Sequence, residues 1–272
     1  MSRIIIEPGR IERQYWRDLW HYRELFYVLA WRDLSVRYKQ TAIGIIWAVL
    51  QPLLTTIIFT VLFGRIAKMP ADGVPYTLLV MAGTLPWQFF SASLTGSSQS
   101  LVSNANLISK VYFPRLIIPA GAVITALVDM LITFCLMFIL MAWFQFLPTW
   151  RFALLPPLVV MAFLAALGPG LLLTALNVKF RDFRYIIPFL IQIGTFVSPV
   201  GFPSSVVPPS WRFFYYLNPM AGVIDGFRWA LLDGKGGAAF PTFALSLAVT
   251  VLFAILGVWY FRKTEKTFAD VI

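Results

Sequence analysis

The sequence predicts an all-α integral membrane protein in which six helices cross the bilayer. Of its 272 residues, 59% are hydrophobic and only 12% are charged, whereas soluble domains carry about 25% charged residues. The apolar residues form long runs after about residue 40, and a helix needs about 20 of them to cross a hydrocarbon core about 30 Å thick. The alternating polarity typical of membrane barrels is missing. We therefore expect one membrane domain, residues 1–272.

Long gaps between charged residues locate the six spans. Backbone groups cannot stay unpaired in lipid, so each span is expected to be helical. The fifth span is short because its sequence runs into proline and glycine. The predicted spans are residues 43–63, 76–97, 116–144, 152–176, 185–199 and 240–261.

Asp129 is the one charged residue well inside a predicted span. A charge at that depth is costly, which makes Asp129 a candidate functional residue. The alternative is a structural role, in which Asp129 accepts hydrogen bonds from hydroxyl groups of a neighbouring helix or is protonated. We expect no ion pair with another span, because no lysine or arginine lies inside one.

Lysine and arginine are distributed unevenly over the connections between the spans. With the N-terminus inside, sixteen fall on the inner side and six on the outer side. The positive-inside rule then predicts that both termini are cytoplasmic. Topology thus explains the net charge of +10, and we expect no binding to nucleic acid. The expected location is a bacterial inner membrane, with the chain crossing it several times and contacting membrane lipid.

Residues 11–30 are predicted to form an amphipathic helix in the cytoplasmic interface. Its apolar and aromatic residues recur at steps of three and four, and they are Ile11, Tyr15, Leu19, Tyr22, Phe26 and Leu29. Trp16 and Trp20 add amphipathic rings. The alternative is an ordinary soluble helix that packs on a partner.

Two of the connections are expected to contain helices of their own. Residues 98–115 are too long for a plain loop, and we expect a cytoplasmic helix there. Residues 201–237 are apolar but broken by prolines, which indicates two short re-entrant helices on the outer side. Asn218 followed by Pro219 is typical of a helix start, and Gly234 is typical of a helix end.

The residues needed for several kinds of chemistry are missing. The chain has one histidine, His21, and one cysteine, which excludes histidine and cysteine metal clusters and histidine-centred hydrolase triads. The phosphate-binding motif GxxxxGK[ST] does not occur. We therefore expect no catalytic residue, metal site or cofactor on this chain. A second polypeptide has to supply any energy that its work needs.

Several short motifs, in this order and spacing, resemble the membrane subunits of ABC exporters for polysaccharides and polyol phosphates. After residues 198–200 many members carry a bulky apolar residue and then tyrosine, where this chain has Gly201 and Phe202. The motifs are RDLSVRYKQT at 32–41, GIIWAVLQP at 44–52, AGTLPW at 82–87, NANLISKVYFPR at 104–115, NVKFRD at 177–182, SPV at 198–200, LNPM at 217–220 and GFR at 226–228.

The resemblance implies a half-transporter that moves a lipid-linked polysaccharide such as O-antigen or capsular polymer. Two copies would form the pore, and two copies of a separate ATPase would bind ATP and Mg. Residues 104–115 would then be the helix that couples to the ATPase, and the N-terminal helix would frame the cytoplasmic entrance.

The site residues expected from this resemblance fall into three groups. The coupling residues are Asn104, Asn106, Leu107, Ile108, Lys110, Val111, Tyr112 and Arg115. The entrance residues are Trp16, Trp20, Arg32, Arg37 and Tyr38. The path and gate candidates are Trp87, Phe89, Phe90, Asp129, Pro199, Asn218 and Arg228.

Three other functions remain open at this point. The chain could be the permease of a drug or peptide ABC exporter. It could be an integral-membrane glycosyl or acyl transferase, although that class needs clustered acids or histidines at a membrane face. A passive scaffold is the third alternative, but it leaves the coupling-like segment unexplained.

Overall fold

The computed structural model describes residues 12–39, 44–235 and 240–268. Every regular element within these ranges is helical. The α-helices are α1 Glu12–His21, α2 Arg23–Lys39, α3 Gly44–Phe59, α4 Tyr76–Ser103, α5 Ala105–Lys110, α6 Ile117–Trp143, α7 Leu155–Lys179, α8 Phe183–Val197, α9 Pro209–Tyr215, α10 Pro219–Leu231 and α11 Phe240–Thr264. Shorter turns extend three of them, with a π-helix at Thr60–Ile66 after α3 and 3-10 turns at Trp150–Leu154 and Glu265–Thr267.

Each of the six predicted spans coincides with a helix. Within the described residues, four helical stretches are long and apolar enough to cross a membrane, and they are Ile46–Ile66, Ile117–Trp143, Trp150–Lys179 and Phe240–Thr267. The α8 helix is apolar but shorter, as its prolines and glycines predicted. The α4 helix is long, but it is not among the four.

The α4 helix is less apolar because protein surrounds it. It packs against α6 and α7 along much of its length, and also against α3, α8 and α10. Its polar residues therefore meet neighbouring helices instead of lipid. Thr174 donates a hydrogen bond to the carbonyl of Ser97 at 2.8 Å, and Asn177 donates to that of Ser98 at 2.8 Å. These two hydrogen bonds join α7 to α4.

The α7 and α11 helices cross at two glycines. A Cβ atom on Gly168 would lie 2.6 Å from backbone atoms of Phe253 and Ala254, and one on Gly257 would collide with the Gly168 carbonyl. The two backbones thus touch directly, as small residues allow in membrane helix pairs.

The N-terminal region contains two helices where one was expected. The predicted helix over 11–30 ends at His21 and begins again at Arg23, and α2 continues to Lys39. The predicted apolar face is confirmed from Tyr15 to Leu29, since it packs on a core cluster built from α4–α7 and α11. Ile11 lies outside the described residues. The α2 helix also packs along α6, so its contacts extend beyond the predicted interfacial helix. The sequence did not indicate this extension, because the apolar periodicity breaks after Ala30.

Both connecting regions contain short helices. Residues 98–115 contain the end of α4 and then α5. Residues 201–235 contain α9 and α10, and the Oδ1 atom of Asn218 caps α10 by accepting from the Met220 amide at 3.0 Å. Gly234 has a positive φ of 79° after the end of α10. Residues 236–239 lie outside the described ranges.

The α7–α11 contact gives a stability test. We expect Gly257→Ala to lower the free energy of unfolding by about 1–3 kcal/mol, because the backbones must separate to admit a methyl group. The matched control is Gly121→Ala, since nothing lies within 4 Å of a Cβ at that position. Thermal unfolding of the detergent-purified protein measures both changes. Equal midpoints for the two variants would contradict the direct backbone contact.

Candidate functional site

A cavity of about 560 Å³ opens between α3, α4, α6 and α8. Its volume lies in the range of ligand pockets, which is about 300–1,000 Å³. Two charged residues, Arg37 and Asp129, are among the described residues that line it. Most of the other polar side chains are amides and hydroxyls, namely Gln51, Thr55, Gln88, Ser91, Thr95, Thr133 and Thr195.

Two tryptophans, Trp47 of α3 and Trp87 of α4, line this cavity. The indole of Trp87 is fixed because its Nε1 donates to the Thr195 hydroxyl at 2.9 Å. The glycine at 194 allows this approach, since a Cβ there would lie 2.7 Å from the Trp87 ring. Trp47 is 55% exposed. The cavity thus offers one rigid ring and one open ring beside neutral hydrogen-bonding groups.

The three aromatic path candidates of α4 have different environments. Trp87 lines the cavity and its ring lies 5.4 Å from that of Phe90. Phe90 is half-buried beside the core. Phe89 borders the cavity, but its side chain is only 1% exposed and packs within the core. Helical periodicity separates adjacent residues by about 100°, so Phe89 and Phe90 point to different neighbours.

Asp129 has an ion-pair partner that the sequence did not indicate. Its Oδ2 lies 2.8 Å from the Arg37 Nη1 atom, and the Tyr38 hydroxyl donates to Oδ1. Burial, together with the Asp129 carboxylate, raises the pKa of Tyr38, so the phenol keeps its donor proton. The prediction considered partners inside other spans only, whereas Arg37 and Tyr38 come from the extension of α2.

The α2 helix also contacts the segment that follows α4. The Arg32 guanidinium donates to the Asn104 side chain at 2.9 Å and to Asp33 at 2.8 Å. Because Arg32 and Arg37 lie on one helix, α2 connects the predicted coupling residue Asn104 with Asp129 at the cavity. Two predicted entrance residues, Trp16 and Trp20, are exposed on α1.

Glu265 joins three parts of the chain and was missed in the sequence. Its carboxylate accepts from the Arg115 amide at 2.8 Å and from the Tyr15 hydroxyl at 3.2 Å. The Arg115 guanidinium also donates to the Glu265 carbonyl, and that of Arg262 lies 4.4 Å from the Tyr15 ring centroid. Burial and the Glu265 carboxylate raise the pKa of Tyr15, so Tyr15 stays a donor. The sequence did contain one hint of this role, because Glu265 is an isolated acid among the basic residues Arg262, Lys263 and Lys266.

The coupling candidates divide into an anchored set and an exposed set. Ile108 is buried in the core beside α6 and α7, and Leu107 packs partly against the same cluster. Val111 is 49% exposed and Tyr112 is 63% exposed. The coupling candidates Asn106 and Lys110 are exposed as well.

The gate candidates meet at the other end of the bundle. The fully buried Arg228 guanidinium donates to the carbonyls of Leu79, Val200 and Phe202 at 3.2, 3.1 and 3.0 Å. Its Nη1 atom lies 3.9 Å from Asp225. Asn218 donates to Ser198 at 2.8 Å, next to Pro199. These bonds hold α10 against α4 and the turn after α8.

Residues 24–232 match the family model described as ABC-2 type transporter. The chain belongs to this family of membrane transporters. It is 30% identical over 260 residues to the O-antigen export system permease protein RfbA of Myxococcus xanthus, covering 94% of this chain and 98% of that protein.

More distant relatives extend the similarity. RfbA of Klebsiella pneumoniae is 26% identical over 250 residues, which are 92% of this chain and 95% of the relative. The polysialic acid transport protein KpsM of Escherichia coli is 22% identical over 238 residues, which are 86% of this chain and 91% of the relative. The resemblance drawn from the motifs is therefore confirmed, and the relatives are named as transport subunits rather than as enzymes.

The contacts of Glu265 give a second test. We expect Glu265→Ala to lower the free energy of unfolding by about 1–3 kcal/mol, because the Arg115 amide and the Tyr15 hydroxyl lose a shared acceptor. Lys266→Ala is the control, since Lys266 is exposed beside it. Hydrogen–deuterium exchange should rise in residues 105–115 only in the first variant. Unchanged exchange there would show that Glu265 does not hold this segment.

Proposed function

We propose that this chain is the membrane subunit of an ATP-driven exporter of lipid-linked polysaccharide. It would move O-antigen or capsular polymer from the cytoplasm across a bacterial inner membrane. The observation that carries the proposal is the cavity between α3, α4, α6 and α8, with its two tryptophans and its amide and hydroxyl lining. The named functions of the RfbA and KpsM relatives support it.

The chemistry of sugars fits this lining. A sugar ring has apolar faces and polar edges, so it can stack on an indole while its hydroxyl groups exchange hydrogen bonds with amides and hydroxyls. The exposed Trp47 provides a stacking surface beside the edge of the buried Trp87, and Gln51 and Gln88 provide both donors and acceptors. Neutral hydrogen bonds have a modest net strength of about 0.5–1.5 kcal/mol each. A polymer could therefore slide along such a wall without being held at one point.

A second copy of the chain would complete the pore. The α3 and α8 helices flank the cavity and expose rows of large apolar side chains. On α3 the exposed residues include Ile46, Leu50, Leu54, Ile57 and Ile58, and on α8 they include Tyr185, Phe189, Ile193 and Phe196. These faces would meet the second copy or lipid, which is the arrangement expected for a pore homodimer.

Two ATPase subunits would supply the energy and would carry the ATP and Mg. The exposed Val111 and Tyr112, with Asn106 and Lys110 nearby, offer a mixed apolar and polar docking surface after α4. In this assembly all six predicted spans cross the membrane, with α4 shielded by its neighbours and α8 completed by the re-entrant α9 and α10. Both termini would be cytoplasmic.

Deletion of the gene tests the function. We expect the surface polysaccharide to disappear and its polyprenyl-linked form to accumulate inside the cell, because synthesis continues without export. Immunoblotting of whole and permeabilised cells measures the two pools, and a plasmid copy of the gene is the control. Normal surface polymer in the deletion strain, or loss of resistance to a drug or peptide instead, would refute polysaccharide export.

Charged residues on the docking surface test the coupling role. We expect Val111→Asp with Tyr112→Asp to reduce export about tenfold or more, since a buried apolar contact with the ATPase would have to desolvate two carboxylates. Val206→Asp is the matched control, because Val206 is similarly exposed, at 41%, beyond the opposite end of the bundle. Membrane insertion should be unchanged in both. Full export by the double variant would remove the coupling assignment.

A further inference from the structure

The cavity wall is nearly free of formal charge. The α3 and α4 helices contain no charged residue along Gly44–Phe59 and Tyr76–Ser103. The α6 helix contains Asp129 alone, and α8 contains Arg184 alone, at its start. Arg184 is not among the described residues that line the cavity, whereas Arg37 of α2 is. The charge of the cavity therefore depends on Arg37 and Asp129.

These two charges neutralise each other within the wall. The Arg37 and Asp129 side chains are 2.8 Å apart, so at longer range they act as a dipole and not as two separate charges. The Tyr38 hydroxyl also bonds the carboxylate. The Arg37 side chain is 50% exposed and the Asp129 side chain 20% exposed, so the two opposite charges offset each other at the cavity wall. The Arg37 cation is thus already committed to Asp129.

The charged groups at the other end of the bundle are also enclosed by protein. Arg228 and Asp225 are both fully buried, and Arg228 is surrounded by three carbonyl oxygens. Among the described residues that line the cavity, a polymer would meet amides, hydroxyls and aromatic rings, and the cation there, Arg37, is paired with Asp129.

We infer that the path is selective for uncharged sugar segments and rejects polymers that carry a carboxylate on each repeat. This inference rests on the proposed function and names the substrate class at the same site. An anionic repeat would have to leave water without gaining a partner, whereas a neutral sugar exchanges its hydrogen bonds with water for those of the wall. This selectivity applies to the repeats and not to the lipid-linked end, which passes along the path only once per molecule.

Transport into inverted membrane vesicles that contain the chain and its ATPase tests this selectivity. The probes are a neutral hexose polymer and a sialic acid polymer of similar length on the same polyprenyl carrier. We expect the neutral polymer to enter at least about tenfold faster, since an uncompensated charge in the path costs more than 1.4 kcal/mol. Equal rates for the two polymers would overturn the selectivity and leave polysaccharide export standing. Uptake of neither polymer, with active ATPase, would refute the export function itself.

A single added charge should shift the selectivity. Gln51 lines the cavity and is exposed on α3, so Gln51→Lys places an uncommitted cation in the path with little change in packing. We expect this variant to lower the neutral-to-acidic rate ratio about tenfold, while Gln51→Glu, which has the opposite charge, should not lower it. Asp129→Asn should shift the ratio in the same direction by removing the carboxylate that offsets the Arg37 charge. An unchanged ratio in both Gln51→Lys and Asp129→Asn would overturn the inference.

Discussion

The hydrogen bonds that α4 receives from its neighbours hold this structure together. At one end Thr174 and Asn177 of α7 donate to the carbonyls of Ser97 and Ser98. At the other end Arg228 of α10 donates to the carbonyl of Leu79. Such bonds are favoured where protein replaces lipid around a helix, because no water competes for the donors. The cavity wall, the coupling segment and the turn after α8 are all positioned relative to this central helix.

The α2 helix links two sites that the chain order keeps apart. Arg32 bonds Asn104 at the end of α4, and Arg37 bonds Asp129 beside the cavity. A helix of α2's length transmits displacement as a rigid body, so a shift of the coupling segment would move the charged pair at the cavity. The contacts of Glu265 with Arg115 and Tyr15 add a second connection from the same segment to α1. In the proposed exporter, an ATPase that binds residues 104–115 would thus act on the cavity through short polar contacts.

Much of this arrangement was predictable from the sequence, and the failures have physical causes. Charge-free runs located the helices, because lipid excludes charge, and the Asn218 cap followed from local backbone chemistry. Hydropathy could not show that α4 is enclosed by protein, since enclosure depends on the other helices. The sequence did not indicate Arg37 as the partner of Asp129, because the amphipathic pattern ends near residue 30 whereas α2 continues to Lys39. Glu265 and the burial of Phe89 depend on contacts between residues distant in sequence, which no local pattern encodes.

The balance of charge and aromatic surface explains how a wall could guide a polymer without trapping it. A strong binding site would slow transport, because each repeat would have to escape from it before the next could advance. Stacking on the exposed ring of Trp47 would tolerate different positions along the ring face, and the amide and hydroxyl groups offer several equivalent hydrogen bonds. An uncommitted cation in this wall would favour anionic repeats, which a neutral lining disfavours. In the proposed exporter the Arg37–Asp129 pair would keep the wall neutral and would also hold α2 in place.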